Sequence, residues 1–286
     1  MTTIWGDLLG CEVRYRGTKY RTRTIEAGSG DPLILMHGVG GHAEAYSKNI
    51  RRLGENFHAI AMDFIWHGFS SKPAIEKSMV PHYGRQVLDL LDSMKVERAH
   101  LEGESLGGWV ALWLSLNHPD RLKKVVLNTT AGIKFKADAV KVDTHGGRDA
   151  LRQRSLAALE APSRETIRKR LEWLMASPDR VTDELVDIRY AIYTDPETNA
   201  SLKGVVGNLL LDDNPDRIGD DMLPKITVPT LALWADKNPG VGEDGGRRIS
   251  NLIPGAEYHC VMDAAHWPQW EKPEEHDAVV TKFLKS

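Results

Sequence analysis

The segment Gly103-Glu104-Ser105-Leu106-Gly107-Gly108 sets a hydroxyl between glycines. A serine becomes a useful nucleophile when a sharp strand-to-helix turn lifts its Oγ clear of the chain. The helix behind it then aims backbone amides at developing negative charge. Such a turn leaves no room for flanking side chains, which is what the glycines supply. The hydroxyl also needs a base, and eleven histidines compete for that role. His266 is the one placed after the last expected strand, behind Asp263-Ala264-Ala265, so that the chain order runs serine, acid, histidine.

The acid between them is ambiguous. It belongs just beyond the strand ending at Trp234-Ala235, where the chain reads Asp236-Lys237-Asn238-Pro239. Asn238 stands where the orienting group is expected. Asp236 is the near carboxylate, with Glu243 and Asp244 further on. An asparagine can hold a histidine in one tautomer but brings no full charge to the imidazolium, so both Asn238 and Asp236 remain candidates. The loop His37-Gly38-Val39-Gly40-Gly41 follows the first buried strand. There the amide of Val39, with that of Leu106, is placed to form an oxyanion hole. No Gly-Lys-Ser/Thr follows, which argues against a phosphate loop. His37 reads as structural, and His42 has no partner at metal-ligand spacing. No metal or organic cofactor is expected.

These residues need elements to carry them. Short apolar runs at 32–36, 57–63, 99–102, 125–128, 227–234 and 257–262 read as strands. Helical spacing covers 43–53, 81–94, the segment after Gly108, 245–252 and 273–284. Steady alternation of this kind predicts an α/β protein with a mostly parallel sheet and helices on both faces. Residues 20–26 alternate and read as an antiparallel edge pair feeding the strand at 32–36. Between 134 and 213 the pattern changes to Arg-, Ala-, Leu- and Glu-rich helical periods, as at 164–175 and 182–192, with no obvious strand. The expected organisation is a core of 1–133 and 214–286 with a helical lid inserted at 134–213.

Bulk properties limit the alternatives. The chain has 286 residues, 41% hydrophobic and 27% charged, with a net charge of −3. That balance fits a soluble globular protein and carries no electrostatic footprint for nucleic acid or an anionic membrane. No apolar run is long enough to span a bilayer, and the N-terminal residues do not read as a secretory leader. Two cysteines, Cys11 and Cys260, are too few for a disulfide framework or zinc site, so a reducing cytoplasm is expected. The expected partner is a small-molecule substrate, with a homo-oligomer left open.

Together these residues resemble the meta-cleavage-product hydrolases, α/β-hydrolases that cut a carbon–carbon bond in 2-hydroxy-6-oxo-dienoates. The resemblance spans nearly the whole chain. It rests on His37-Gly38, on Gly103-x-Ser105-x-Gly107-Gly108 and above all on His266-Trp267-Pro268-Gln269-Trp270-Glu271. A further match is Thr182-Asp183-Glu184-Leu185-Val186-Asp187-Ile188-Arg189. The resemblance implies that Arg189 meets a substrate carboxylate and that Trp267 lines the substrate site. A guanidinium fork suits that task; the bland alternative for Arg189 is a solvated helix arginine. Three departures stand out: Asn238 for the usual acid, Glu104 for a residue often Asn, and Phe64-Ile65-Trp66-His67-Gly68 for a smaller turn. Esterases and lactonases share the general markers, as would a ligand sensor built on this scaffold.

Overall fold

The computed structural model describes residues 3–136, 139–141, 147–211 and 213–286, with the side chain of Arg148 excepted. The expected lid therefore includes stretches, 137–138, 142–146 and 212, that lie outside the described residues. The strands are β1 (Glu12–Arg16), β2 (Thr22–Ala27), β3 (Pro32–Met36), β4 (His58–Met62), β5 (Ala99–Glu104), β6 (Leu122–Asn128), β7 (Ile133–Lys134), β8 (Ile218–Gly219), β9 (Thr230–Ala235) and β10 (Glu257–Val261). The helices are α1 (Ile4–Asp7), α2 (Ser47–Gly54), α3 (Val80–Ser93), α4 (Leu106–Asn117), α5 (Arg148–Glu160), α6 (Arg164–Glu172), α7 (Asp183–Thr194), α8 (Pro196–Leu209), α9 (Glu243–Leu252), α10 (Pro268–Glu271) and α11 (Pro273–Lys285).

Eight strands form one sheet in the order β1-β2-β4-β3-β5-β6-β9-β10, parallel from β4 to β10. The protein is α/β with a mostly parallel sheet flanked by helices. Both faces of the sheet are covered, so its central strands are buried; β3 is continuously apolar, whereas β5 also buries Glu102 and Glu104. At the other edge, β2 pairs antiparallel with β1 and β4. So β2 does not lie against β3; β4 enters between them. Strand β1, Glu-Val-Arg-Tyr-Arg, escapes a reading by hydropathy because it is an exposed, charged edge, the usual guard against edge-to-edge pairing.

Strand β5 shows how the two faces are assigned. Side chains alternate, so Gly103 and Glu102 point to opposite sides. A Cβ on Gly103 would come within 2.1 Å of Gly107 in α4, so α4 covers that face closely. On the other face Glu102 Oε1 lies 2.7 Å from His276 Nε2 in α11. His276 Nδ1 lies 2.9 Å from Asp277 Oδ1. Both ring nitrogens thus meet carboxylate oxygens, which calls for the doubly protonated imidazolium. Burial opposes that charge, but Glu102 and Asp277 prevail and push the His276 pKa up to about 10. His276→Ala is expected to lower unfolding stability by about 3–5 kcal/mol in urea titration, because Glu102 is left buried and unpaired. The histidine is raised, so its contribution is complete below about pH 6.5 and fades as pH climbs toward 10. A change below about 0.5 kcal/mol, the range of ordinary surface substitutions, would mean that the pair contributes nothing to the anchoring of α11.

Helices α5–α8 run between β7 and β8, which pair in parallel as a narrow neck. Local caps fix their starts. Ser163 and Thr166 form a reciprocal box at α6, while the Thr182 and Asp195 side chains accept the Leu185 and Thr198 amides. This helical layer is tied to the core beside the serine turn. Tyr193 Oη donates to the Gly40 carbonyl at 3.1 Å, and the His266 amide donates to Leu174 O at 2.9 Å. Trp66, at φ +65°, is buried edge-on to Tyr83 with its indole donating to Pro73 O. It acts in packing and does not line the cavity described below.

Candidate active site

The turn between β5 and α4 is as tight as its glycines require. Ser105 sits at φ +54°, a left-handed conformation that side chains rarely adopt. A Cβ on Gly107 would come within 2.2 Å of Met36 O, and one on Gly108 within 2.3 Å of Thr130 Oγ1. The strained serine is held through its backbone, its amide donating to Asn128 O and its carbonyl accepting from Ala131 and Trp109. Ser105, Val39, Leu106, His266 and Asn238 all line a cavity of ≈ 380 Å³. The cavity is chiefly apolar, with Trp109, Phe135 and Leu209 among its walls and Lys136 and Arg217 as its basic groups.

His266 is held through Nδ1 of its ring. Its Nδ1 lies 2.7 Å from Asn238 Oδ1, and the Asn238 amide nitrogen donates to Val241 O at 2.7 Å. The Val241 carbonyl can only accept, so it takes the amide NH₂ and leaves Oδ1 facing the ring. That fixes the proton on Nδ1 and leaves the Nε2 lone pair free. Asp236 is elsewhere: its Oδ1 accepts the Ala264 amide at 3.2 Å and braces the loop that carries His266. Asn238, rather than Asp236, is the group in contact with the histidine. The Glu243 side chain bonds Arg247, and Asp244 Oδ2 accepts the Lys141 amide; neither bond involves the ring. Burial, with Arg170 nearby, lowers the His266 pKa to about 3, so the ring is neutral at rest.

The remaining residues of the C-terminal string are structural supports. Glu271 accepts the amides of Ala265 and Ala176 and pairs with Arg180. Gln269 Oε1 accepts from Asn128, and the Trp270 indole donates to Arg180 O. Trp267, by contrast, lines a small cavity beside Ser105 and His266. His37 donates to Gly38 O and accepts the Phe64 amide, and His42 pairs with Glu44. Both serve loop structure, and among the described residues no group of His, Cys, Asp and Glu is arranged to hold a metal.

Behind the serine lies a cluster that the sequence shows only in part. Arg189 is completely buried between the rings of Trp267 (5.3 Å) and Tyr193 (5.7 Å). None of its three guanidinium nitrogens has a hydrogen-bond partner. It is therefore no solvated helix arginine. It stands behind Trp267, however, and does not itself line either cavity. Arg170 does: it borders the small cavity with Ser105, Glu104 and His266, its Nε donating to Ser155 Oγ and its Nη1 unpartnered. The signal for Arg170 was available, since it falls with Ile167 and Leu171 on the buried stripe of α6. Glu104, also fully buried, lies with Oε1 3.2 Å from His266 Nε2. Burial raises its pKa to about 8 against the pull of the Gly38 amide and the two arginines.

Comparison with known proteins agrees with this architecture. The model of the α/β hydrolase fold family matches residues 31–273. A 2-hydroxy-6-oxononadienedioate/2-hydroxy-6-oxononatrienedioate hydrolase from a Pseudomonas species is 28% identical over 276 residues, which are 91% of this chain and 90% of the relative. A 2-hydroxy-6-oxo-6-phenylhexa-2,4-dienoate hydrolase of Comamonas testosteroni is also 28% identical, over 91% and 90% of the two chains. The solved structure of the like-named enzyme from Rhodococcus sp. strain RHA1 superposes with a TM-score of 0.83 at 22% identity, covering 96% of this chain and 100% of that one. At that identity the superposition speaks for the fold. With the family model matched across most of its length, and the sheet and serine turn in place, the chain belongs to the α/β-hydrolase fold family and is a hydrolase.

Proposed function

We propose that this protein is a serine-dependent hydrolase that cleaves the carbon–carbon bond beside the ketone of a carboxylate-bearing 2-hydroxy-6-oxo-dienoate. The observation that carries this reading is Arg189: a completely buried guanidinium with all three nitrogens unpartnered, 5.3 Å from the ring of Trp267, which lines the small cavity with Ser105. A buried charge of this kind is strongly unfavourable unless an anion completes it. Arg170, with Nη1 unpartnered on the small cavity, is the second arm of the same site. The larger apolar cavity on the other side of Ser105 takes the ketone's substituent. Resemblance to relatives whose names specify dienoate hydrolysis supports the choice of substrate class. The helices between 134 and 213 serve as the lid that presents the arginines.

In this mechanism His266 Nε2 accepts the Ser105 proton as Oγ adds to the ketone carbon. The amides of Val39 and Leu106 hold the resulting oxyanion. The substrate meets the serine as its 2,6-dioxo tautomer, its 2-hydroxyl proton having moved to C5. Collapse then breaks the C5–C6 bond, and the electron pair enters a dienolate conjugated through C2. The His266 imidazolium returns its proton to that dienolate, which leaves as the 2-hydroxy-dienoate. Water, activated by the same histidine, then releases the acyl group from Ser105. One water is added and no electrons are exchanged with a second compound, so the balance requires neither metal nor organic cofactor. The setting for this chemistry is the cytoplasm, where ring-fission products of aromatic degradation arise.

A neutral ester or lactone is the second reading, favoured by Glu104, whose carboxyl already faces the arginine cluster. The two readings separate on Arg189→Ala and Arg170→Ala, assayed with a dienoate by loss of its chromophore and with the corresponding methyl ester. For the acid, each variant is expected to lose about 2–5 kcal/mol in kcat/KM, roughly 30- to several-thousand-fold. For the ester the loss should nearly vanish, because no charge is buried. Arg170→Lys should rescue only in part, since an ammonium lacks the planar fork. Neutral esters turned over far faster than any dienoate, with both alanine variants indifferent, would leave the esterase reading in place.

A further inference from the structure

The site has an unresolved charge requirement. Taking the Ser105 proton turns His266 into an imidazolium in a buried setting, and its Nδ1 partner, Asn238, is neutral. A neutral amide fixes the tautomer but supplies no counter-charge. Among the described residues the one carboxyl that meets the ring is at the opposite end: Glu104 Oε1, 3.2 Å from Nε2, on the strand residue just before the serine. Among the described residues no hydrogen bond joins Ser105 Oγ to His266, and both Glu104 oxygens lack a hydrogen-bond partner. Resting on the serine-hydrolase reading above, we propose that Glu104 is a positioning residue that supplies the counter-charge Asn238 lacks and gates the access of His266 Nε2 to Ser105.

The two protonation states of Glu104 do different things. Protonated, its O–H is within reach of the Nε2 lone pair and ties up the nitrogen that must accept the serine proton. Ionised, it can only accept; Nε2 is released toward Ser105, and the imidazolium that forms has a carboxylate beside it. No proton passes to Glu104 during attack: the serine proton goes to Nε2, and the Glu104 proton has already left to solvent. The groups facing this carboxyl are His266 and the Trp267 indole from the loop after β10, Arg170 from α6, Arg189 from α7, the Gly38 amide after β3 and the Tyr46 hydroxyl. Burial holds the proton on, while the arginines and the amide favour its release. The balance falls at about pH 8. His266, held near 3, does not titrate in that range.

The test reads the serine directly and needs no natural substrate. A fluorophosphonate reacts by attack of Oγ on phosphorus with loss of fluoride, and the labelled peptide is identified by mass spectrometry. For wild-type protein the labelling rate at Ser105 is expected to rise about tenfold per pH unit up to a midpoint near 8, then level off. Glu104→Gln, which keeps the shape but cannot ionise, should lose that dependence between pH 6 and 9 and label roughly 10²-fold more slowly at the plateau, the lower end of what a positioned acid–base group contributes. Glu104→Asp should recover part of the rate and shift the midpoint. With a turned-over ester, Glu104→Gln should lower kcat and leave KM near wild type, with thermal unfolding confirming the fold. Labelling of Glu104→Gln at the wild-type rate, with an unchanged pH profile, would overturn the proposal and leave the serine reading standing. Absence of any Ser105 label in the wild-type protein at every pH would overturn the serine reading itself.

Discussion

Ser105→Ala is expected to reduce turnover by about 10⁴- to 10⁶-fold while leaving the fold unchanged, the magnitude seen when a serine nucleophile is deleted from such a constellation. The fold should survive because the turn is made by its glycines and by backbone bonds from Ser105 to Asn128, Ala131 and Trp109. The substitution removes one oxygen and keeps the Cβ. Alanine at φ +54° is strained much as serine is, so unfolding midpoints should agree within the usual range of a surface change, about 0.5 kcal/mol. What remains should be catalysis by the Val39 and Leu106 amides and by binding alone, which leaves a measurable rate above water. Single-turnover assays would give that residue, and near wild-type turnover in a verified variant would remove serine chemistry from this site.

The second large effect belongs to Asn238. Asn238→Ala is expected to lower kcat on the order of 10²–10⁴-fold, because His266 loses the group that keeps the proton on Nδ1. Asp236→Asn should change kcat only a few-fold, since an amide oxygen can still accept from the Ala264 amide. On sequence grounds Asn238→Asp would be expected to restore the missing charge and raise activity. The structure argues otherwise. The nitrogen that aspartate replaces donates to Val241 O at 2.7 Å, and a second carboxylate oxygen there would face a carbonyl oxygen. The gain in charge at Nδ1 is offset by that repulsion, so Asn238→Asp should not exceed the parent. Measured kcat values for the three variants decide the matter: if Asp236→Asn fell as far as Asn238→Ala, the loop would have to rearrange in solution.

The two variants and Glu104 are coupled. If Glu104 supplies counter-charge, then adding Asp at 238 gives the imidazolium two carboxylates, and the loss caused by Glu104→Gln should shrink in the Asn238→Asp background. Residues that share one proton-accepting ring are not additive, and the size of the departure measures the interaction.

Much of this site was legible because its constraints are local. A strand, two spaced glycines and an apolar helix suffice to specify the elbow, since the clashes that forbid side chains there come from residues four and five positions away, from Met36 at the end of β3 and from Thr130 just after β6. The same holds for the parallel core: continuous apolar runs separated by helical periods have few other solutions. His266 could be chosen among eleven because its place at the end of the last sheet strand is a matter of chain order. The edge was less legible. Strand β1 carries alternating charge with no buried face, and the entry of β4 between β2 and β3 is a pairing choice that no local pattern records.

What the sequence determined by itself was thus the fold, the serine turn and the histidine, each set by short-range sterics and periodicity. What only the tertiary structure decided was charge. Asp236 and Asn238 are two residues apart in one loop, and which of them meets His266 depends on how that loop folds against Val241 and Ala264. Arg170, Arg189 and Glu104 come from two inserted helices and a core strand, and their convergence behind Ser105 exists only once the helical layer closes on the sheet. Burial turns these three from ordinary solvated groups into an arginine pair with unpartnered nitrogens and a carboxyl that keeps its proton to about pH 8. Burial is a property of distant chain segments packed together, and that is why residue types and spacing alone did not reveal it.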